Sequence, residues 1–535
     1  MRTTIKSLLP VAVLALSFGL TSCVDDLNVT PKDPSTNMTV TPENLFNKTY
    51  ALMAVAGNGG ANGDSDVDGL DGGTTGFVRQ LFNAQSLTTD EAHCVWGDQG
   101  ISDFNHNSFT ASHPMLKGFY YRLYFGVTMC NHYLEVAADH DKTMTAEVRF
   151  LRALYYYYLM DGWGNVTLRT TISMEKAKQV SRAELYAWIE QEVLAAEADM
   201  AEAKPEKEGE AGYGRADKAA AWMLLSRLYL NAEVYTGKAE WAKAKEYAAK
   251  VMNSPFKLHT APTQNGWTAY QQLFMGDNGT NGASQEGILC LIQDGEKTTS
   301  WGTTLFLMAA TSKDDMKDNQ FYSGNGTVQN WAGITALPTL VQKFFPNDNA
   351  PEASPATMQA AAGDDRALFW SKGRTLSIDD ESAFTNGYSV MKFNNYYLAG
   401  GQGKHSTYCD TDFFLMRAAE AYLNFAEADA RLNGGKTTQA GTDAVNAIRN
   451  RAHANPQPSF DLNQILNEYA REFYFEGRRR TDLIRHNKYG GNTGFQWQWK
   501  GGAKTGVNFS ANYNLFPIPD TDMNAHGELT QNPGY

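Results

Sequence analysis

Cysteine is scarce in this sequence, and the few cysteines show no pattern of a metal site or a disulfide framework. The 535 residues include five cysteines, of which Cys94, Cys130, Cys290 and Cys409 are widely spaced, without a CxxC motif or a Cys/His metal spacing. Four cysteines in so long a chain do not make a disulfide framework, so we interpret them as buried thiols and leave any pairing among them open. The sequence predicts neither a bound metal nor a cofactor.

Motifs of hydrolytic and phosphate-handling enzymes are also absent. The sequence contains no HExxH, GxSxG or Walker loop, and no barrel-like alternation of strands and helices. A glycoside hydrolase would need two carboxylates roughly 5–10 Å apart across a cleft, and an abundance of acidic residues does not by itself supply that geometry. We therefore predict that the protein is not an enzyme.

Positive charge is in deficit, while aromatic residues are abundant. Lysine and arginine total 46 against 59 aspartates and glutamates, which gives a formal net charge of −13. This balance argues against nucleic-acid binding and favours neutral ligands or cations. Aromatic residues make up 12% of the chain, with 26 tyrosines and 11 tryptophans, and they indicate surfaces built for contact as well as a core.

Long hydrophobic runs are missing apart from one near the N-terminus. Two basic residues precede the apolar residues 8–20, a run that is too short to span a bilayer stably and is typical of a signal peptide. The run ends in LTSC (20–23), which resembles the lipobox of bacterial lipoproteins and implies cleavage of residues 1–22 and acylation of Cys23. A plain secretory signal is the alternative. Residues 23–44 are polar and are predicted to form an extended tether.

Helical periodicity runs through the middle and the end of the chain. Residues 147–160 carry apolar side chains at i, i+3, i+4, i+7 and i+8, and Tyr155 and Tyr156 lie outside that stripe, so we expect this helix to be covered on more than one side. We expect it to end at Gly162 and Gly164, since glycine readily leaves helical backbone angles. The other predicted helical stretches are residues 45–55, 108–137, 218–234, 240–252, 413–432, 444–451 and 462–485.

Several of these stretches form helix pairs. Pairs of roughly 34 residues, rich in Ala, Tyr and Leu at fixed offsets, are typical of tetratricopeptide repeats. We predict a mainly α fold with a tetratricopeptide-repeat scaffold of four helix pairs, at about residues 108–255 and 405–490; an ordinary helical bundle is the alternative. Residues 57–107 and 256–404 are rich in Gly, Asn and Thr, and we expect them to form an inserted, loop-rich lobe within a single domain of residues 45–535.

Segments spread along the chain together resemble the SusD family, the surface glycan-binding lipoproteins of Bacteroidetes polysaccharide-utilisation systems. They are the lipobox at Cys23, EVRFLRAL (147–154), GRADKAA (214–220), REFYFEGRRRTDL (471–483), FPIP (516–519) and QNPGY (531–535). The resemblance implies no catalytic activity and an outer-membrane position that faces out of the cell, with a lipid anchor at Cys23. It also implies that captured oligosaccharide passes to a SusC-like TonB-dependent transporter.

Shorter segments resemble the starch-binding founder of that family. They include DVDGLD (66–71), GFVR (76–79), TDE (89–91) and WQWKGG (497–502). The resemblance implies that the ligand is starch or a related α-glucan. Two alternatives stay open, namely the same role for a different neutral glycan and a tetratricopeptide adaptor that binds proteins.

The resemblance also assigns the aromatic residues of the site. Sugar rings present flat patches of polarised C–H that stack on exposed aromatic faces, and the family's aromatic positions match Trp96, Trp301 and Trp331. Trp301 stands where the founder has a tyrosine. An arc of three aromatic rings suits a curved α-glucan better than a flat ribbon. The tryptophans within or beside the predicted scaffold helices are expected in the core: Trp163, Trp188, Trp222 and Trp241.

The family's polar positions match Asp71, Arg79 and Gln99. The founder has an asparagine where this chain has Gln99, which leaves the position of that hydrogen bond less well defined. Arg478, Arg479 and Arg480 follow one another near a helix end, and we interpret them as structural residues on a solvated or salt-bridged face rather than as an anion site.

Overall fold

Helices dominate the computed structural model, which describes residues 40–535. The predicted signal peptide, the lipidation at Cys23 and most of the tether lie outside these residues. Residues 40–535 contain nineteen α-helices: α1 (Pro42–Ala54), α2 (Gly72–Thr75), α3 (Phe77–Phe82), α4 (Ile101–His106), α5 (Pro114–Val136), α6 (Lys142–Trp163), α7 (Arg182–Glu197), α8 (Lys218–Leu230), α9 (Ala232–Thr236), α10 (Trp241–Asn253), α11 (Ala269–Gln272), α12 (Thr304–Ala309), α13 (Pro338–Val341), α14 (Pro355–Ala362), α15 (Ala418–Leu432), α16 (Gln439–Arg451), α17 (Leu462–Phe473), α18 (Arg479–Arg485) and α19 (Asp520–His526).

The described chain also contains six short strands, which form three antiparallel pairs: β1 (Ala92–Cys94) with β3 (Ile334–Ala336), β2 (Gly287–Leu291) with β6 (Phe413–Arg417), and β4 (Phe369–Trp370) with β5 (Ser389–Val390). With so little strand and so much helix, the prediction of a mainly α fold is confirmed.

Eight of the longer helices form the scaffold. Helices α5 to α8 pack one against the next in chain order, α10 packs between α8 and α15, and α15 also contacts α16 and α17. Helices α10 and α15 are neighbours although residues 254–417 lie between them in the sequence. The loop-rich segment is therefore inserted between two adjacent helices of the stack, which agrees with the predicted scaffold and inserted lobe.

Helix α6 lies at the centre of this stack. The carboxylate of Asp141 caps its N-terminus by accepting a hydrogen bond from the backbone N–H of Met144 at 2.8 Å, and Gly164 ends the helix with φ +70°. Tyr155 and Tyr156 are both buried, and their hydroxyls donate to the carbonyl oxygens of Thr49 and Arg169. The expectation that this helix is covered on more than one side is confirmed.

Two of the departures from the predicted helices have causes that lie far away in the sequence. Residues 413–417 form β6 rather than the start of a helix, because they pair with β2 of the lobe, and α15 begins only at Ala418. Residues 462–485 are two helices, since the chain leaves the helical conformation at Tyr474 and Phe475 has φ +65°. The Phe475 ring packs against Phe82 of α3 at 5.0 Å, so burial of aromatic side chains against the lobe outweighs helix continuity.

Buried ion pairs join the lobe to the scaffold. The Arg417 guanidinium lies 2.8 Å from the Glu286 carboxylate and 2.6 Å from that of Glu472, and Arg451 pairs with both carboxylates. Arg366 of the lobe reaches Glu472 at 3.3 Å. These side chains are 0 or 1% exposed, so each charge depends on its partners for stabilisation.

The three consecutive arginines at the start of α18 are structural; Arg479 and Arg480 are buried, and Arg478 is partly buried. Arg478 pairs with Glu420 and Asp482, and Arg479 pairs with Asp90 at 2.7 Å. Arg480 donates a hydrogen bond to the carbonyl oxygen of Tyr513. The salt-bridged alternative is therefore right for Arg478 and Arg479, and the solvated one is wrong.

The expectation that four tryptophans belong to the core holds fully for one of them. Trp163 is completely buried and donates its indole N–H to the carbonyl oxygen of Pro517 at 2.9 Å. Trp188, Trp222 and Trp241 are only partly buried, because they sit on outer faces of the scaffold helices. Trp222 uses that position to donate to the carboxylate of Glu197 at 2.7 Å.

The four cysteines of the described chain are buried, as predicted, and none of them forms a disulfide. Within residues 40–535, none of the helices has both the length and the apolar content that a membrane crossing requires. Residues Leu45–Tyr535 form one compact unit, and the boundaries proposed from the sequence for tether, scaffold and lobe stay predictions.

Candidate functional site

Three tryptophan rings from distant parts of the sequence meet on the surface of the lobe. The ring centroids of Trp96 and Trp331 are 6.5 Å apart with an interplanar angle of 51°, and those of Trp331 and Trp301 are 6.2 Å apart with an angle of 52°. All three rings are partly buried, with one part packed on the hydrophobic core and another part open to solvent. The structure thus brings together the three aromatic residues that the sequence singled out, and it tilts each ring against the next.

The β1–β3 pair positions Trp96 and Trp331. Cys94 of β1 lies opposite Ile334 of β3, and the pairing continues with a hydrogen bond of 2.8 Å from the backbone N–H of Val95 to the carbonyl oxygen of Gly333. The chain then places Trp96 beside Trp331, and the indole N–H of Trp96 donates to the carbonyl oxygen of Trp331 at 3.3 Å. Both rings are therefore fixed by backbone pairing rather than by flexible loops.

The end of helix α12 holds the backbone that carries Trp331. The N–H groups of residues 331 to 334 donate to the carbonyl oxygens of Ala309, Ser312 and Ala310 at 2.7–3.0 Å, and so satisfy groups that a helix end leaves without partners. Ala332 takes the left-handed conformation, with φ +50°, to make this turn. A Cβ atom at Gly333 would lie 2.0 Å from the Trp96 indole, so only glycine lets the ring lie against this backbone.

Trp301 is positioned by a second close approach of glycine backbones. A Cβ atom at Gly73 would lie 2.9 Å from the Cβ of Trp301, and one at Gly76 would lie 2.4 Å from the carbonyl oxygen of Gly302. The backbone N–H of Arg79 donates to that same carbonyl oxygen at 3.0 Å. The glycine-rich residues 72–76 and the segment around Trp301 therefore form one tightly packed unit.

Arg79 lies beneath the aromatic surface and has no charged partner in contact. Its guanidinium carbon is 5.5 Å from the Trp96 ring centroid and 5.2 Å from that of Phe306, which places the cation against two rings. Only 8% of the residue is exposed, and within the described chain its side chain makes no hydrogen bond or ion pair; Nε is fully enclosed without a partner. Burial lowers the pKa of this guanidinium, and the charge of Asp71 partly opposes that shift.

Asp71 stands at the start of helix α2 and acts as its N-cap. One carboxylate oxygen accepts from the backbone N–H of Thr74 at 3.0 Å, and the other accepts from the Thr74 hydroxyl. Partial burial alone would raise the pKa of this carboxyl, but the hydrogen bonds from Thr74 and the charge of Arg79 lower it. Asp71 is therefore an ionised, exposed acceptor close to the aromatic surface.

Gln99 is the one predicted site residue for which the structure shows no contact with the others. It is exposed, three residues after Trp96 in a turn that ends at Gly100 with φ +95°, and within the described chain its side chain makes no hydrogen bond. Its side chain is thus available to a ligand that lies across Trp96. The structure does not itself bring it into the cluster.

The sequence reasoning missed one aromatic neighbour of this cluster. The Tyr408 ring centroid lies 4.9 Å from that of Trp301, with an interplanar angle of 54°, which is the shortest ring separation on this surface. Its sequence signal was an aromatic side chain in a polar, irregular segment (HSTYCD, residues 405–410), the same context that marked the three tryptophans.

A second open cavity differs from this surface in its polar groups. About 590 Å³ of space lies between α1 and β2, lined by apolar side chains such as Phe46 and Ile292. Two of its polar residues are paired within the fold: Tyr50 donates to Glu147 at 2.5 Å, and Arg215 forms an ion pair with the same carboxylate. The unpaired, buried Arg79 beside exposed rings makes the tryptophan surface the better candidate for a polar ligand.

The fold and this surface define a class of protein: a helical-repeat scaffold that presents a tilted arc of aromatic rings, with a cation and an acceptor beside them, on an inserted lobe. Two family models match the chain, one described as the SusD family over residues 353–535 and one described as starch-binding associating with outer membrane over residues 76–230. The starch-binding protein SusD of Bacteroides thetaiotaomicron is 38% identical to this chain over 572 residues, with 99% of each chain covered. The chain belongs to the SusD family.

Solved structures agree on the fold. The surface glycan-binding protein A of Bacteroides fluxus matches with a TM-score of 0.65 at 20% identity, covering 94% of this chain and all of that one. A SusD superfamily protein of Parabacteroides distasonis also matches with a TM-score of 0.65 at 20% identity, covering 92% of this chain and 98% of that one. Together with the helical scaffold described above, these matches establish the SusD-type fold.

Proposed function

We propose that the protein binds starch or a related α-glucan without catalysis, at the surface formed by Trp96, Trp301 and Trp331. The observation that carries this proposal is the geometry of the rings, whose interplanar angles of 51° and 52° mean that the three faces do not form one flat platform. An α-glucan is a curved, helical chain, so its successive sugar rings meet such a platform better than a flat ribbon does. The relative that shares 38% identity along its whole length is named as a starch-binding protein, which supports the same ligand class.

The polar residues of the proposed site supply hydrogen bonds for sugar hydroxyls. Arg79 offers donors that the protein leaves unpaired, Asp71 offers an ionised acceptor, and exposed Gln99 offers both a donor and an acceptor. A buried polar group without a partner costs free energy that a ligand hydroxyl recovers on binding. This distribution supports a site that orients a neutral, hydroxyl-rich molecule.

The absence of catalysis is part of the proposal. A glycoside hydrolase needs a carboxylic acid whose pKa is raised so that it protonates the leaving oxygen. Asp71, the predicted site carboxylate, instead has a lowered pKa, because the hydrogen bonds of Thr74 and the charge of Arg79 outweigh its burial. This charge state supports retention of the glycan rather than its cleavage.

We further propose that Cys23 is lipidated, that the protein lies on the outer face of the outer membrane, and that it delivers oligosaccharide to a SusC-like TonB-dependent transporter. The LTSC sequence at residues 20–23 supports the anchor, and the family model described as associating with outer membrane supports the location. We keep the domain limits of 1–22, 23–44 and 45–535 as part of this proposal. A Cys23→Ala variant is expected to leave the membrane fraction, and the wild type is expected to copurify with a transporter from mild detergent.

A panel of neutral polysaccharides in affinity gels tests the ligand class. The protein is expected to be retarded by starch and related α-glucans, without release of sugar, and to migrate freely in a cellulose-type β-glucan. Retardation by a different neutral glycan alone would mean that the ligand is that glycan and not an α-glucan. Release of sugar would show that the protein is an enzyme. Free migration in every gel would favour a protein-binding adaptor.

A further inference from the structure

The row of aromatic rings does not end at Trp301. Tyr408 lies against Trp301 with ring centroids 4.9 Å apart, and His405 lies against Tyr408 with centroids 5.1 Å apart and an interplanar angle of 30°. Both added residues are partly exposed, as Trp301 is. Five rings thus follow one another across the lobe, from Trp96 through Trp331, Trp301 and Tyr408 to His405.

The segment that carries the two added rings is held in place by the turn that precedes Trp301. The backbone N–H of Gly295 donates to the Asp410 carboxylate at 2.7 Å, and the Lys404 ammonium lies 2.9 Å from the Asp294 carboxylate. A Cβ atom at Gly295 would lie 3.0 Å from the His405 Cβ and from the Tyr408 carbonyl oxygen, so the two segments touch through backbone. Rings that are fixed before binding lose little freedom when a ligand stacks on them.

The far end of the row offers polar groups as well as ring faces. The His405 Nδ1 accepts hydrogen bonds from the backbone N–H groups of Thr407 at 3.0 Å and Tyr408 at 3.3 Å, so in the neutral ring Nε2 carries the hydrogen. Within the described chain this Nε2 has no hydrogen-bond partner. The Tyr408 hydroxyl has one long contact, of 3.5 Å, with the side-chain amide of Asn62. Both groups are thus available to sugar hydroxyls.

We propose that the glycan-binding surface extends past Trp301 onto Tyr408 and His405, and that these residues select for longer chains. A short oligosaccharide is held by the three tryptophans and the polar groups beside Trp96, and only a longer chain also reaches Tyr408. The protein therefore discriminates among α-glucans by length as well as by curvature. This inference rests on the function proposed above, because it assigns further residues to the same site.

Isothermal titration of maltotriose and maltoheptaose tests the extension, with wild type, Tyr408→Ala and Tyr408→Phe. The alanine variant is expected to lower the affinity for maltoheptaose about 2- to 10-fold, the equivalent of one aromatic contact, and to change that for maltotriose less than about twofold. The phenylalanine variant keeps the ring and is expected to stay within about twofold of wild type for both ligands. Melting temperatures check that each variant is folded.

The outcomes separate this inference from the proposed function. If the wild type binds both sugars and Tyr408→Ala weakens neither, or weakens both equally, the extension is wrong while the α-glucan site stands. If the wild type binds neither sugar, the proposed function fails and the extension fails with it. Trp96→Ala serves as the reference, because loss of a ring inside the arc is expected to weaken both ligands.

Discussion

Two buried arginines, one at the junction of lobe and scaffold and one inside the lobe, differ in whether their charge is paired. Arg417, where β6 meets the scaffold, is 1% exposed and contacts the carboxylates of Glu286, Glu472 and Glu476 at 2.6–2.8 Å. Arg79, beneath the tryptophan rings, is 8% exposed, and its guanidinium makes no hydrogen bond or ion pair within the described chain. The fold pairs the first charge with carboxylates, and we propose that the second charge serves a ligand.

The contrast teaches how to separate structural from functional charges in this protein. A buried cation without partners costs free energy, and folding does not recover that cost at Arg79. Loss of a paired cation such as Arg417 destabilises the fold, because it leaves the partner carboxylates buried without a compensating charge. Stability and binding should therefore respond to mutations at different arginines.

The largest effect is expected from breaking the paired network. Glu472→Gln removes the charge shared by Arg417, Arg451 and Arg366, and we expect it to lower the free energy of unfolding by about 3–5 kcal/mol. Chemical denaturation measures this loss. The matched change in the exposed scaffold, Glu246→Gln, is expected to cost less than about 1 kcal/mol, since Glu246 forms only a surface pair with Lys250. Equal losses in the two variants would remove the distinction.

Acid should weaken the same network. Burial alone would raise the pKa of Glu468, but the charges of Arg366, Arg471 and Arg449 lower it to about 2. Because the folded-state pKa lies below the unfolded value of about 4.5, this carboxylate contributes its full stability above pH 4.5 and loses it as the pH falls toward 2, a loss on the order of 3 kcal/mol.

Melting temperatures between pH 7 and pH 3 measure that loss. The wild type is expected to melt at progressively lower temperature below about pH 4.5, and Glu468→Gln is expected to be less stable at neutral pH with a flatter decline. A variant that declines as steeply as the wild type would show that Glu468 does not carry the acid sensitivity.

A smaller effect, and on binding rather than folding, is expected at Arg79. Arg79→Met removes donors that no protein group uses, so we expect stability to change by less than about 1 kcal/mol. Loss of hydrogen bonds to a charged group should lower α-glucan affinity by about 1.5–3 kcal/mol, roughly 10- to 150-fold. Arg79→Lys keeps the charge, and its α-glucan affinity is expected to lie between those of the wild type and Arg79→Met. Unchanged affinity in the folded Arg79→Met variant would mean that this cation has no part in the site.

The smallest effect is expected where one flat ring replaces another. Trp301→Tyr introduces the residue type that the resemblance assigns to the family's founder and keeps an amphipathic face, so the affinity for maltoheptaose is expected to change by less than about threefold. Trp301→Ala, measured by the same titration, is expected to lose more. If tyrosine is as damaging as alanine, the indole of Trp301 makes a contact other than stacking.

The sequence predicted most of the scaffold, because helical periodicity and capping are local properties. The stripe in residues 147–160 specified α6, and the change in composition after residue 255 specified the inserted lobe. Two predictions failed for non-local reasons: β6 forms because Phe413 and its neighbours pair with β2, and α17 ends because Phe475 packs on Phe82. The local sequence of these two segments does not indicate which distant residues they contact. Helix α7 was missed although its N-terminal capping box is a local signal.

The candidate site was predicted only in part, because the contacts that hold its residues are also non-local. The resemblance supplied Trp96, Trp301 and Trp331, but the residues that hold them could not be read from the chain. The left-handed Ala332 and the contact of Trp96 with Gly333 arise only when β1 and β3 pair. The same holds for Tyr408, whose closeness to Trp301 depends on the hydrogen bond between Gly295 and Asp410.

A crystal structure of the protein with maltoheptaose tests most directly whether the tryptophan arc is the binding surface. We expect successive sugar rings to lie against Trp96, Trp331 and Trp301, with a sugar hydroxyl within hydrogen-bond distance of the Arg79 guanidinium. Ordered sugar at another surface, with the three rings bare and Arg79 still without a partner, would contradict it.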